Sequence, residues 1–281
     1  MNYYYDTEFL EGTQKTFFGQ TKPTIDLISI GIVSDGVTYY GGVDPVSPNA
    51  KVQVFKNVHS REYYAISKDF NLKEAWNRYD ITSKSEYKKY WIRDNVLYPI
   101  FRELVARENA YATKAFYRAN VYIAVKDYKF NLRTFSKLIN KYGKTNKQIA
   151  EEVKEFCAKD YLFKHADTTT QWKDRGNPIF YGYYSAYDHV VLCWLFGKMI
   201  DLPKGFPMYT KDLKQIYDDK QANYSNMVTK QLKDIHKENY IKVKDDYYLK
   251  DLSGYPKQEN EHNALADARF NRDLHKFLKT V

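Results

Sequence analysis

The chain has only two cysteines, Cys157 and Cys193, both inside apolar patterns of helical period and neither at a metal-type spacing. That excludes a disulfide framework and a cysteine metal site, and leaves buried thiols in a reducing compartment as the expectation. Long apolar runs are missing too: no stretch approaches the roughly 18 residues that span a bilayer. No charged-then-apolar leader opens the chain, so a soluble, unexported, cytoplasmic protein with no membrane partner is expected. Internal repeats and low-complexity tracts are absent. What remains is a globular chain of 281 residues, enough for one elaborated domain or two small ones with a full core.

Aromatic residues, by contrast, are plentiful at 17%, with 28 tyrosines. Tyrosine can sit half-buried in a core, and its flat ring can also stack on bases. The formal charge of +9 is localised: Lys84 to Lys147 holds 15 Lys and Arg against 5 Asp and Glu, which leaves 29 basic and 30 acidic residues elsewhere. Rings interleave this basic segment, among them Tyr87, Tyr90, Trp91, Tyr111, Phe116, Tyr117, Tyr128 and Phe130. A solvated helical face accounts for the charges alone, whereas phosphate attraction with base stacking accounts for charges and rings together.

Along the chain, Tyr3 to Phe9 has strand character, and Glu11-Gly12-Thr13 opens a loop through Phe17-Phe18-Gly19 and Pro23. Ile25 to Val33 is a mostly buried strand broken by the turn residues Ser34-Asp35-Gly36. Val37 to Val43 and Glu62 to Ser67 both qualify as the next strand; the later segment is favoured, which makes 35–60 an inserted hairpin or flap. From Leu72 to Cys157 the apolar spacing is helical, with Pro99 expected to limit one helix and Lys144-Thr145-Asn146 to begin another. Asn177 to Tyr184 is a strand, Val190 to Phe196 a helix ending at Gly197, and Tyr209 to Asp218 a short element with a helix. Residues 219–256 are polar and weakly periodic, expected as a loop excursion, and Asn263 to Leu278 is a terminal helix. This order predicts an α/β or α+β arrangement on a central mixed sheet.

Asp6 and Glu8 leave the first strand on one face, about 7 Å apart. Such a pair is either solvated at a strand end or holds a cation, since carboxylates are the ligands Mg²⁺ and Mn²⁺ prefer. At the other end, His262 and Asp267 are separated by five residues, about 140° on a regular helix, so they share a site only if the helix begins between them. Asn263 as N-cap satisfies that condition, with small Ala264 and Ala266 permitting close approach. Asp188 lies at a strand-to-helix junction, where a plain cap is the simpler role. Taken separately these signals are weak; together Asp6, Glu8, Asp188, His262 and Asp267 make four carboxylates and one imidazole at element ends, which is how two-metal phosphoryl-transfer sites are built.

Here the sequence resembles the DEDDh 3′-to-5′ exonucleases of the ribonuclease H-like fold. Asp6-Thr7-Glu8 matches their first motif, Tyr187-Asp188 the second, and His262 with Asp267 the third. The tyrosine subtype has Tyr four residues before the last Asp, where this chain has Asn263. The ribonuclease T-like bacterial and phage exoribonucleases are more similar still, through Asp6 to Phe9, Ile25 to Gly31, Tyr63 to Ala65, Ala186 to His189 and His262 to Arg269. The resemblance does not cover 35–60, most of 102–150 or 219–256, so one domain over 1–281 with those insertions is implied.

The resemblance implies an α/β ribonuclease H-like fold, with a central mixed five-stranded sheet flanked by helices. It implies hydrolysis of single-stranded RNA ends to 5′-mononucleotides with two Mg²⁺ or Mn²⁺ ions. Asp6 would bridge both ions, with Glu8 and Asp267 on the one that holds the attacking water and Asp188 acting mainly through the second ion's water shell. His262 would be the general base, and Thr7 and Phe9 the substrate contacts. Branch members often dimerise, so a homodimer is a further expectation, although the insertions could block or replace that contact. A single-strand DNA exonuclease, or a non-catalytic basic and aromatic nucleic-acid-binding protein, is the alternative. His189 is expected on the opposite helical face, and His59, His165, His236 and His275 have no ligating spacing.

Overall fold

The computed structural model describes residues 1–15, 19, 21–35, 61–79, 90–119, 127–158, 163–164, 170–171, 177–236 and 247–281. The strand alternative at 37–43, most of the flap at 35–60, and parts of the basic segment and of the 219–256 excursion lie outside these residues, as do His59 and His165.

The strands are β1 (Asn2–Lys15), β2 (Thr21–Ser34), β3 (Glu62–Ile66), the two-residue β4 (Phe163–Lys164) and β5 (Thr170–Gln171), β6 (Ile179–Gly182) and β7 (Lys211–Asp212). Five of them form one sheet in the order β3-β2-β1-β6-β7, while β4 and β5 pair separately. β1, β2 and β3 pair antiparallel, and β6 and β7 join parallel to β1. The chain is therefore α/β with a mixed sheet flanked by helices: α1 (Leu72–Asn77), α2 (Tyr98–Ala119), α3 (Leu132–Tyr142), α4 (Asn146–Ala158), α5 (Ala186–Phe196), α6 (Leu213–His236) and α7 (Ala264–Leu278). Among the described residues no helix is long and apolar enough to cross a membrane.

The alternating side chains of β1 serve different layers. Tyr3 and Tyr5 pack with Ile149 and Val153 of α4 and Val191 and Leu192 of α5. Tyr4 faces the other way, onto Leu274, Phe277 and Leu278 of α7. Leu10 joins Ile28, Leu97, Leu104, Phe135 and Ile139, so helices inside the 102–150 region bury part of the main core. The β1–β2 register shifts between Glu8 and Phe9, leaving Ile28 unopposed. Such a bulge bends its strand.

Three expectations change. The Gly12–Thr24 stretch is ladder rather than loop, because β1 and β2 stay paired as far as Lys15 and Thr21, with Pro23 opposite Thr13. Pro99 does not limit its helix: a π-turn at Arg93–Leu97, closed by the Tyr98 N–H on the Arg93 carbonyl, precedes it, and α2 runs on through it. Proline has no N–H to donate, so the widened turn falls where the regular ladder is already broken. The 219–256 excursion is helical as far as His236, as α6. Four cations of the basic segment, Arg93, Arg107, Lys141 and Lys144, sit in surface ion pairs with Asp94, Glu103, Glu108 and Glu152.

Candidate active site

β6 pairs with β1 only from Asn2 to Tyr4, so beyond Tyr4 this edge of β1 must find other hydrogen-bond partners. Two helices supply them. Asp188, in the first turn of α5, accepts the Thr7 N–H at 2.9 Å and the Thr7 hydroxyl at 2.6 Å on Oδ1. Asn271 of α7 donates to the Tyr5 carbonyl at 3.2 Å. Asp188 is thus drawn to the strand carrying Asp6 and Glu8 and is only 6% exposed. It is a strand-edge partner, not a helix cap.

α7 starts where the spacing of His262 and Asp267 requires. Asn263 is its N-cap, accepting the Ala266 N–H at 3.1 Å, and His262 precedes it with a left-handed φ of 65°. The His262 N–H donates back to Asp267 Oδ2 at 2.9 Å, and Gln258 Nε2 donates to Oδ1 at 2.7 Å. This end of α7 lies on Gly31, the residue of β2 opposite Asp6. A Cβ at Gly31 would stand 2.3 Å from the Ala264 carbonyl oxygen and 2.4 Å from Leu265 Cα. Glycine is required here by the approach of helix to sheet, and that approach delivers Asp267 to the acidic pair.

Asp6, Glu8 and Asp267 consequently offer ligand oxygens all within 4.8 Å of one another, a group that could hold a metal ion. Among the described residues no Lys, Arg or hydrogen-bond donor meets Asp6 or Glu8. Burial, and then the neighbouring carboxylates, push Asp6 well above the usual carboxylate range and Glu8 up to about 8. Burial raises Asp188 to about 6 against the opposing Thr7 hydrogen bonds, and it raises Asp267 against Gln258 and His262. Desolvated and like-charged, with Asp6 and Glu8 short of donors, these carboxylates fit a divalent cation by the chemistry of the donor set.

The sign of the linkage follows. Carboxyls raised in the folded state bind protons that the unfolded chain, titrating near 4, has already released. Their contribution to stability is present below that range and is lost as pH rises through about 6 for Asp188 and about 8 for Glu8. A divalent ion held by this group would replace those protons. The rise in melting temperature on adding Mn²⁺ is therefore expected to be larger above pH 8 than below pH 6; an equal rise at both would remove the carboxylates as its cause.

The cleft these groups line measures about 250 Å³ and also includes Phe9, Tyr183, Gln258 and Asn271. Phe9 stacks on Tyr187 with centroids 5.7 Å apart and planes at 29°. Thr7 is 5% exposed, with its N–H and hydroxyl both given to Asp188. The imidazole of His262 meets Trp91 edge-on at 4.7 Å, which brings the π-turn region against the site. All five motif residues therefore come to one place.

The places of Gly31, Gln258, Asn271 and Trp91 at the site escaped the sequence reading. A lone glycine within an apolar strand does signal close backbone approach and pointed to Gly31; the other three have no local signal. His189 faces away from the cleft, toward Thr210 and Cys193. His275 is buried beside Tyr4 and Tyr181, with its pKa depressed to about 4 first by burial. Cys157 and Cys193 are both buried and form no disulfide.

No family model matches the chain. Two curated relatives, each named a 3′-5′ exoribonuclease and each from a strain of Mycobacterium tuberculosis, are 24% identical to it over 220 residues, covering 78% of this chain and 76% of the relative.

Proposed function

We propose that the chain is a DEDDh-type 3′-to-5′ exoribonuclease with a ribonuclease H-like fold, of the ribonuclease T-like branch, that removes 5′-mononucleotides from single-stranded RNA. One domain over 1–281 carries the activity, with insertions at 35–60, 102–150 and 219–256, and a homodimer is the assembly to test. The convergence of Asp6, Glu8 and Asp267 with Asp188 on the adjoining strand edge carries this reading. The names of the two relatives favour RNA.

Asp6, Glu8, Asp188 and Asp267 would hold two Mg²⁺ or Mn²⁺ ions, which supply charge stabilisation at the phosphoryl group and the leaving 3′ oxygen and acidify a water. The protein's own contribution is positional. Thr7 fixes the Asp188 carboxylate, and Gln258 with the His262 N–H fixes that of Asp267. His262 stands outside the helix, its imidazole held by Trp91, as the general base that takes the proton of the attacking water. Phe9, backed by Tyr187, gives the terminal base a flat apolar contact.

The decisive experiment incubates 5′-labelled RNA and DNA oligonucleotides with Mg²⁺ or Mn²⁺, with and without chelator. A ladder shortening from the 3′ end, abolished by chelator and faster on RNA, is expected. Uncut RNA beside shortened DNA would move the substrate to single-stranded DNA, and cleavage unaffected by chelator would dismiss the metal site.

A further inference from the structure

We infer that Tyr184 is a base-stacking residue for the bound strand, upstream of the nucleotide being removed; this rests on the nucleic-acid reading of the cleft and adds a contact outside the acidic cluster. β6 ends at Gly182 and α5 begins at Ala186, so the three residues between must turn the chain sharply. Tyr184 takes the strained position, with φ at 53°. Bulky side chains avoid that left-handed region, and asparagine or glycine occupies it more readily. The turn cannot relax, because the two carboxylate oxygens of Asp212 accept the N–H groups of Tyr184 and Ser185 at 3.2 Å each, and the Lys214 N–H anchors Asp212 at 2.8 Å.

The fold needs this turn, since it seats Ser185 and brings Asp188 to Thr7. It does not need a ring there. The Tyr184 side chain is 64% exposed and lies outside the core clusters. Its ring stands edge-on to Tyr183 at 5.1 Å, and Tyr183 lines the cleft. The Lys214 ammonium lies 5.5 Å from the Tyr184 centroid. That ammonium is itself paired with the Asp218 carboxylate, so the feature left for a ligand is the exposed aromatic face beside the cleft, which matches a nucleobase, since every base offers a face to stack. Sheet-to-helix geometry explains the backbone at 184, while the exposed ring, placed beside Tyr183 of the cleft, is what a stacked base would use.

Tyr184→Asn tests this, because asparagine tolerates the turn while the ring is lost. Its melting temperature should equal or exceed that of the parent. KM for short single-stranded oligonucleotides, RNA and DNA alike, should rise roughly 5- to 10-fold, the low end for one lost stack, with kcat falling less than KM rises. Tyr184→Phe should restore KM. An unchanged KM would overturn the inference, as would a lowered melting temperature with kcat falling as far as KM rises, the mark of a structural residue. Absence of nucleotide release by the parent protein would defeat the reading of the cleft instead. Tyr184 is then judged by anisotropy of a fluorescent oligonucleotide in chelator: affinity reduced by a similar factor upholds its stacking role, and equal affinity rejects it.

Discussion

Asp6→Asn will lower nucleotide release by about three orders of magnitude or more and at the same time raise the melting temperature of the metal-free protein. Both halves follow from one fact: Asp6 stands between Glu8, Asp188 and Asp267 with no donor or cation among the described residues to compensate it. The amide keeps the shape, loses the charge that attracts a divalent ion, and relieves repulsion and desolvation within the cluster. Loss of a charge that stabilises a phosphoryl transition state is worth several kcal/mol. Relief of the repulsion should contribute about 1–2 kcal/mol to the fold, roughly 2–8 °C for a domain of this size. His262→Ala provides the contrast, because His262 offers no oxygen to an ion. Activity there should fall roughly 10²- to 10⁴-fold, as expected for a lost general base, with the Mn²⁺-induced gain in melting temperature retained. Calorimetry and initial rates on labelled RNA decide the matter: Asp6→Asn with near-parental turnover, or with a lowered melting temperature, would contradict the account of the cluster.

The second large effect is at Gly31, which has no side chain to offer an ion and lies under the start of α7. Gly31→Val should destabilise the protein by about 3–5 kcal/mol and abolish activity, and Gly31→Ala should do both to a lesser degree. The added Cβ meets backbone atoms, the Ala264 carbonyl at 2.3 Å and Leu265 Cα at 2.4 Å, so no side-chain rotation can absorb it. The N-terminal end of α7 must move off the sheet, carrying Asp267 and His262 away from Asp6. Chemical denaturation and Mn²⁺ titration would register the two consequences separately. A Gly31→Ala protein with parental stability and Mn²⁺ affinity would mean that α7 is free to shift without disturbing the site.

The geometry of the third motif was legible because helix arithmetic is local: about 140° between His262 and Asp267 demanded a helix start at Asn263, which caps it. The acidic pair of β1 was legible for the same reason, since strand alternation needs no partner to be read. Pro99 misled because a π-turn, with Val96 and Leu97 buried in the core, precedes it and lets the helix pass. The length of α6 was hidden by weak periodicity, for its polar sequence presents only a few rings and aliphatics, among them Ile216, Tyr217 and Tyr224, to the α7 layer.

By itself, then, the sequence determined the strand that carries Asp6 and Glu8, the helix start that separates His262 from Asp267, and the residue types suited to a divalent ion, all properties with a range of a few residues. Tertiary structure alone decided that Thr7 spends its donors on Asp188, that Gly31 admits the end of α7, and that Trp91 stands against His262. Those contacts join residues far apart in the chain, and their distances are set by how helices and sheet pack, which no local periodicity encodes.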